Sequence, residues 1–385
     1  MSGRILLGTR KGTFGIDRVG GKWQASLLGH AGVGVNFVAR DPHTGTLWAA
    51  LGHGHWGAKL SRSTDEGKTW QDAPQISYPE GARYLDNPPD ADPSRPKLAF
   101  KAAKLQKLWA IAFGPAGRMY VGTIPGGLFV SDDAGESFSL NVPLWNHESR
   151  GGDLFQGDGT GTTHWFGTPA SESGEFAPGI HSIAVDPRNP DRVLVAISTA
   201  GVLETLDGGK SWRSRNRGLQ MDYLPDPHAE WGHDPHYLEL CAAQPQHVWQ
   251  QNHCGVFYSG DGANTWKKVS QPAAGVHFGF PVAVDAEQGK TAWVVPGKSD
   301  MQRTTVDGGL FVARSEDGGE SWQALRNGLP QQNAYDVVYR HALDNRADTL
   351  AFGSTTGNLY VSEDRGESWQ AVGNNLPPIY SVRFA

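Results

Sequence analysis

The chain has 385 residues, 38% of them apolar, with 50 glycines, 24 prolines, 14 tryptophans and a formal charge of −6. This balance suits many short strands joined by turns around a buried core, and with no basic stripe it excludes a nucleic-acid backbone as partner. The two cysteines, Cys241 and Cys254, lack metal-like spacing and exclude a disulfide framework, while the absence of a long apolar run gives no membrane partner and an expected cytoplasmic location.

Length alone suggests two or three domains, but internal repetition overrides that prior and points to one unit, 1–385. In chain order, residues 5–8, 13–16 and 22–26 read as three strands with nothing ahead of them to pair on the inside. An eight-residue pattern, Ser/Thr-x-Asp-x-Gly-x-Ser/Thr-Trp/Phe, then recurs at 63–70, 131–138, 205–212, 259–266, 315–322 and 362–369. A worn copy at 16–23 keeps only its closing Trp23, with Asp17 and Gly21 displaced. Inner strands are expected at 35–40, 109–113, 181–186, 237–242 and 281–285, and in the last repeat at 334–339, followed by strands at 349–353, 358–362 and 369–372. Residues 97–107 place Leu98, Ala102 and Leu105 at helical spacing with Leu108 beyond, the one place a short helix is expected. The tail, 380–384, is a strand with nothing after it, so it completes the unit that the head leaves open.

Each residue type in the octapeptide has a physical reason. The Asp carboxylate accepts hydrogen bonds from turn amides, the Gly takes a positive φ without steric cost, the hydroxyls satisfy further backbone groups, and the aromatic packs inward. In the fourth copy Ala263 replaces the Gly and Gly262 precedes it. An Ala at positive φ costs about 1 kcal/mol, so that turn is expected to shift by one residue.

The octapeptide resembles the Asp-box, or BNR repeat, of sialidase-like propellers, where it forms the hairpin turn between the third and fourth strands of a blade. The resemblance implies an all-β, seven-bladed β-propeller with Asp-box hairpins, closed by C-terminal strand pairing with the N-terminal blade. The whole chain is also similar to bacterial "glycosyl hydrolase, BNR repeat" proteins, which implies a carbohydrate-active protein and, if an enzyme, a glycoside hydrolase. The sialidase active-site pattern is not matched. No Arg-Ile-Pro is present, and Arg10 in Gly8-Thr9-Arg10-Lys11-Gly12 is followed by Lys-Gly, which argues against sialidase activity.

The repeated Asp residues, Asp65, Asp133, Asp207, Asp261, Asp317 and Asp364, read as turn devices, since a catalytic site needs one asymmetric constellation. The opposite face receives the insertions at 74–106, 143–179, 216–235 and 298–305, and long loops on a rigid scaffold carry function. On this strand map all of the 14 histidines except His43, His247 and His341 fall on that loop-rich face. The densest group runs Asp226-Pro-His228-Ala-Glu230-Trp-Gly-His233-Asp234-Pro-His236, with Asn252-His253 close by in the same repeat.

Candidate catalytic carboxylates are Asp226, Glu230 and Asp234, since glycoside hydrolysis needs two of them across the scissile bond. Candidate substrate-binding residues are Arg10, His53, His55, Arg83, His181, Asn252 and Trp231. Imidazole with carboxylate suits a divalent metal, with His228, His233, His236 and His253 as ligands. The same histidines serve equally as hydrogen-bonding loop residues. Two alternatives to a hydrolase stand beside it: a metal-dependent enzyme built on this cluster, and a non-catalytic propeller that binds a glycan or a protein. In each, the expected ligand is a carbohydrate or other small polar molecule.

Overall fold

The computed structural model describes residues 3–86, 99–156, 163–165 and 177–385. Among them are seven four-stranded antiparallel sheets in a ring and one small two-stranded sheet, the arrangement of a seven-bladed β-propeller. No described helix is long and apolar enough to cross a membrane.

Blade one places Lys22–Gly29 outermost, then Gly12–Val19 and Ile5–Thr9, with the C-terminal strand Ile379–Phe384 on the inside. Ile5 faces Phe384, Leu6 faces Arg383 and Leu7 faces Val382. Ile5, Leu6 and Leu7 are wholly buried, so the seam is an apolar zipper as well as a hydrogen-bonded ladder. Gly8 is needed there: a Cβ would lie 2.4 Å from the Ser381 hydroxyl and 2.9 Å from the Val35 carbonyl. At the end of the seam the Ala385 amide donates to the Arg4 carbonyl at 2.9 Å. Arg4 in turn donates to the Glu66 carbonyl at 3.0 Å.

Blades two to six begin with inner strands Gly34–Arg40, Lys107–Phe113, Ile180–Val185, Pro235–Leu240 and Phe278–Val284, close to the expected positions. Blade seven differs. Its inner strand is Leu343–Arg346, not 334–339. The expected run is spent bracing the blade's own turn: Asp336 Oδ1 accepts from the hydroxyls of Ser354 and Thr356 and from Asn358 Nδ2, at 2.5–2.8 Å. The expected helix is also absent. Ala99–Ala102 is a strand paired with Arg83–Asp86, and Phe100 lies under the Arg83 guanidinium at 4.1 Å. Lys97 and Leu98 lie outside the described residues.

All six octapeptides are hairpin turns joining third and fourth strands. In the first, Gly67 donates to the Ser63 hydroxyl at 2.9 Å, and the Thr69 amide and hydroxyl donate to the two Asp65 oxygens at 2.9 and 2.7 Å. The fourth keeps this register with Ala263 in the glycine position. Ala263 has φ +66°, its amide donates to the Ser259 hydroxyl at 2.9 Å and Thr265 bonds Asp261 as elsewhere. The expected shift therefore does not occur. The five side-chain hydrogen bonds of the turn hold the Ala in place, and its methyl is wholly buried in the core between blades four and five.

The Trp that ends a turn clasps the preceding blade. Trp70, Trp266 and Trp322 donate through Nε1 to the carbonyls of Leu28, Arg215 and Val269 at 2.7–3.1 Å. Trp212 reaches Asn141 Oδ1 at 3.0 Å. Four of the six repeats thus lock themselves to their neighbour; Phe138 offers no donor, and Trp369 packs on Phe352 with its Nε1 unpartnered.

Candidate functional site

The inner strands are not regular. In six of the seven, the ladder with the second strand slips by one residue near the loop-rich end. The residues left unpaired are Asn36, Trp109, His181, His236, Tyr380 and, in blade six, Phe280 with Pro281. A β-bulge turns the extra side chain away from the regular alternation. Repeated around the axis, it surrounds the channel mouth with polar and aromatic groups.

These residues meet at a cavity of about 340 Å³ whose walls include Asn36, Trp109 and Tyr380. Lys107 joins them from the blade-three strand, Arg303 from the loop inside blade six, and Tyr339, Arg340 and His341 from the segment ahead of the blade-seven strand. Trp109 is held between two cations, with Lys107 Nζ 5.0 Å and the Arg340 guanidinium 5.2 Å from its ring centre. Arg340 also lies 5.3 Å from the Phe280 ring, and its Nε has no hydrogen-bond partner. Enclosure, then the charge of Arg340, lowers Lys107 to about 8. No carboxylate is among these wall residues. Deeper in the channel, Tyr237 accepts from Arg383 at 2.6 Å. Burial and then the charge of Asp344 push the Glu239 carboxyl up to about 8 against the pull of Arg383.

Beside the mouth, the ladder pairing of Pro235 with Asn252 brings Asp234, His236 and His253 together. Their ligand-type atoms lie within 4.8 Å of one another. Asp234 Oδ2 is 3.5 Å from His236 Nε2 and 3.6 Å from His253 Nδ1. Burial raises the Asp234 carboxyl, but the His236 contact and the charges of His236, Arg340 and His253 outweigh it and hold the group well below the usual carboxylate range. On the other edge of the His253 ring, Nε2 lies 3.9 Å from Asp300 Oδ2, and Asp300 pairs with Arg303.

The other sequence candidates go elsewhere. Asp226 caps its own turn by accepting from the His228 amide at 2.9 Å. His228 and Glu230 line a separate cavity with Asn264 and Thr265 of the fourth repeated turn. The loop from 216 runs down the blade's flank, held by Asn216 donating to the Glu230 carbonyl at 2.8 Å and by the Ser214 hydroxyl on Glu230. His233 is buried with Nε2 on the Ala229 carbonyl at 2.8 Å and is not in the group with His236.

Trp231 packs beside His147 and His164 over blade four. Asn252 is buried in its turn, accepting from the Cys254 amide. His53 accepts from the amides of His55 and Trp56 at the exposed tip of blade two. Arg83 donates to the Phe155 carbonyl at 3.1 Å. Arg10 is exposed on the upper turn of blade one, within electrostatic reach of Tyr380.

His181 does reach the channel: it is wholly buried, edge-on to Trp109 at 5.1 Å, and neither ring nitrogen has a partner. His341, expected on the far side, instead lines the cavity, because the blade-seven strand starts nine residues later than expected. His277 is drawn off by the Lys298 carbonyl at 2.9 Å. Lys107, Trp109, Tyr339 and Arg340 were not read as site residues from the sequence. Trp109 reaches the mouth through the slip in its inner strand, which leaves no compositional mark, and Tyr339 and Arg340 reach it from the segment ahead of the blade-seven strand.

No protein-family profile matches the chain. It is 30% identical over 170 residues, 42% of its length, to the oligoxyloglucan-reducing end-specific xyloglucanase of Emericella nidulans, of which the match spans 19%. Among solved structures it is similar to an ancestral GH74 enzyme, with a TM-score of 0.54 at 16% identity, over 91% of this chain and 38% of that one. It is also similar to YCF48 from Cyanidioschyzon merolae, with a TM-score of 0.50 at 15% identity, over 93% of this chain and 87% of that one. At such identities the likeness is one of fold. The chain is a seven-bladed β-propeller with GH74 and xyloglucanase-like neighbours.

Proposed function

We propose that the protein is a carbohydrate-active propeller of the BNR-repeat glycoside hydrolase type, that its six hairpins are Asp-boxes, and that its ligand sits in the channel mouth. The observation that carries this reading is the asymmetric cavity at the channel mouth, where Trp109, Tyr339 and Tyr380 stand beside Lys107, Arg303 and Arg340. Flat aromatic faces suit the C–H faces of sugar rings, and the fixed donors suit hydroxyl and carboxylate oxygens. With three cations and no carboxylate among these wall residues, the ligand favoured is a glycan carrying an acidic group. The local likeness to a xyloglucanase supports a saccharide over other polar ligands.

Hydrolysis needs a carboxylate pair, and the pair beside this mouth is Asp234 and Asp300, on opposite edges of His253. Asp226 and Glu230 take no part in it. The test is titration of the protein with neutral and uronate-containing oligosaccharides by calorimetry, followed by assay of released reducing ends. Saturable binding of the acidic oligosaccharides, weakened at least tenfold in Arg340→Ala and in Trp109→Ala, is expected. Binding unchanged in both variants would overturn the placement, and absence of saccharide binding in the wild type would overturn the ligand class.

A further inference from the structure

We propose that Asp234, His236 and His253 form a binding site for a first-row divalent metal ion at the rim of the channel mouth. The site shares Asp234 and Asp300 with the hydrolytic pair proposed above, and its test, metal binding without saccharide, stands apart from the test of that reading.

The first support is spacing. Bonds of about 2.0–2.2 Å to nitrogen and oxygen set ligand atoms about 3.0–3.6 Å apart around one ion. Asp234 Oδ2 lies 3.5 Å from His236 Nε2 and 3.6 Å from His253 Nδ1, longer than a good hydrogen bond and of the length two ligands on one ion require.

The second is the tautomer of His236. Its Nδ1 is 2.6 Å from the Gly279 carbonyl. A carbonyl only accepts, so Nδ1 carries the hydrogen. In the neutral ring Nε2 is then a bare lone pair facing a carboxylate oxygen. Two acceptors held face to face need a positive species between them, either a second proton on the imidazole or a cation. His236 is nine-tenths buried or more, with a side-chain exposure of 3%, so solvent does not relieve the conflict.

The third is the surrounding support. A metal-bound histidine is oriented by the partner on its other nitrogen. The Gly279 carbonyl does this for His236, and Asp300 stands 3.9 Å from His253 Nε2 on the side away from Asp234. His236 sits on a bulge and stacks on Phe280 at 4.7 Å. The Asp234 carbonyl accepts from the His253 amide at 2.8 Å, so all three ligands are carried by one strand pair. His253 and Asp234 retain side-chain exposures of 27% and 16%, which leaves the open coordination positions facing solvent. Arg340 is the cation facing Asp234. Among the described residues no hydrogen bond joins the two; Asp234 Oδ1 accepts from the Thr199 amide at 3.3 Å, and Oδ2 is the oxygen turned toward both histidines. Two imidazoles and a carboxylate suit zinc, manganese, iron(II) or cobalt(II).

The experiment is calorimetric titration of chelator-treated, dialysed protein with Zn²⁺ and Mn²⁺, with Co²⁺ absorption as a second probe of coordination. One equivalent of at least one ion should bind with a dissociation constant of 10 µM or below, order-of-magnitude, for three protein ligands. His253→Ala, at the rim, and Asp234→Asn should each weaken it at least tenfold, Asp300→Asn should weaken it less, and His233→Ala should leave it unchanged. The added ion should raise the melting temperature of the wild type and of His233→Ala fully, of Asp300→Asn partly, and of His253→Ala and Asp234→Asn least, which separates lost binding from lost folding. Uptake of less than a tenth of an equivalent by the wild type would overturn the proposal. So would binding that survives both His253→Ala and Asp234→Asn, or nitrogen NMR showing a doubly protonated His236 that Zn²⁺ and Mn²⁺ leave unperturbed at neutral pH.

Discussion

The two faces of the ring are built on opposite plans. On one, six turns repeat the same hydrogen bonds, from the first Ser or Thr hydroxyl to one Asp oxygen and from the later Ser or Thr hydroxyl to the other. Their carboxylates are satisfied within their own turns, and no two turns need to cooperate. On the other, six of the seven inner strands slip near their ends, and the channel mouth gathers different side chains, among which Lys107 and Arg340 stand against Trp109 and Arg303 pairs with Asp300. Repetition supplies stability that is divided among many sites, and asymmetry supplies chemistry that is concentrated in one.

The largest effect should come from cutting the seam that both faces share. Removing residues 379–385 deletes the inner strand of blade one and exposes Ile5, Leu6 and Leu7, and the product is expected to lose its cooperative melting transition, as followed by circular dichroism. Next, Trp293→Ala should cost about 3–5 kcal/mol, the range for a buried aromatic, because the ring is wholly buried and its Nε1 bonds the Arg365 carbonyl of the next blade. Trp109→Ala at the mouth should cost less stability than Trp293→Ala while weakening saccharide binding, since Trp109 is only partly buried. If both tryptophans proved equally structural, the division between faces would fail.

A smaller effect concerns pH. Glu239 is raised above its unfolded value, so its contribution is full below a pH of about 4 and is lost as pH rises through about 8. Melting temperature should therefore fall between about pH 5 and 8, and Glu239→Gln should flatten that slope. Asp317 behaves in reverse. Burial raises it slightly, but the Ser321 hydroxyl and amide and the Ser315 hydroxyl outweigh this and lower it to about 2. Its contribution is present above a pH of about 4 and lost as pH falls toward 2, so Asp317→Asn should lower the melting temperature near neutrality by a few degrees and reduce acid sensitivity. The smallest change is Ala263→Gly. Relief of the positive φ is worth about 1 kcal/mol and loss of the buried methyl costs about 0.8 kcal/mol, so urea denaturation should register a net change below about 1 kcal/mol.

The difference between the faces also decides what the amino-acid order reveals. The six turns, most inner strands and the closing strand were legible because a fixed pattern recurs, and each strand is bracketed by the turn chemistry beside it. The mouth was not legible, because a bulge is the insertion of one residue among apolar neighbours and looks like ordinary alternation. Arg340 and Lys107 read as charges at strand ends, and only the ring closure brings them 5 Å from the same indole. Of the histidine-rich run, His236 and His253 meet because a strand ladder pairs their neighbours, whereas His228 and His233 stay on the loop, outside that group. Sequence density marked the blade that carries the group but not which residues of the run meet. The blade-seven strand was misplaced because 334–339 alternates like a strand while Asp336 is engaged with its own turn.

The hydrogen bonds from Ala385 to Arg4, and from Arg4 to Glu66, place Arg4 and Ala385 beside the first repeated turn. A linker joined to Ala385 would leave from the side away from the cavity. Protein anchored to a sensor surface through Ala385 should then hold the mouth open to a dissolved ligand.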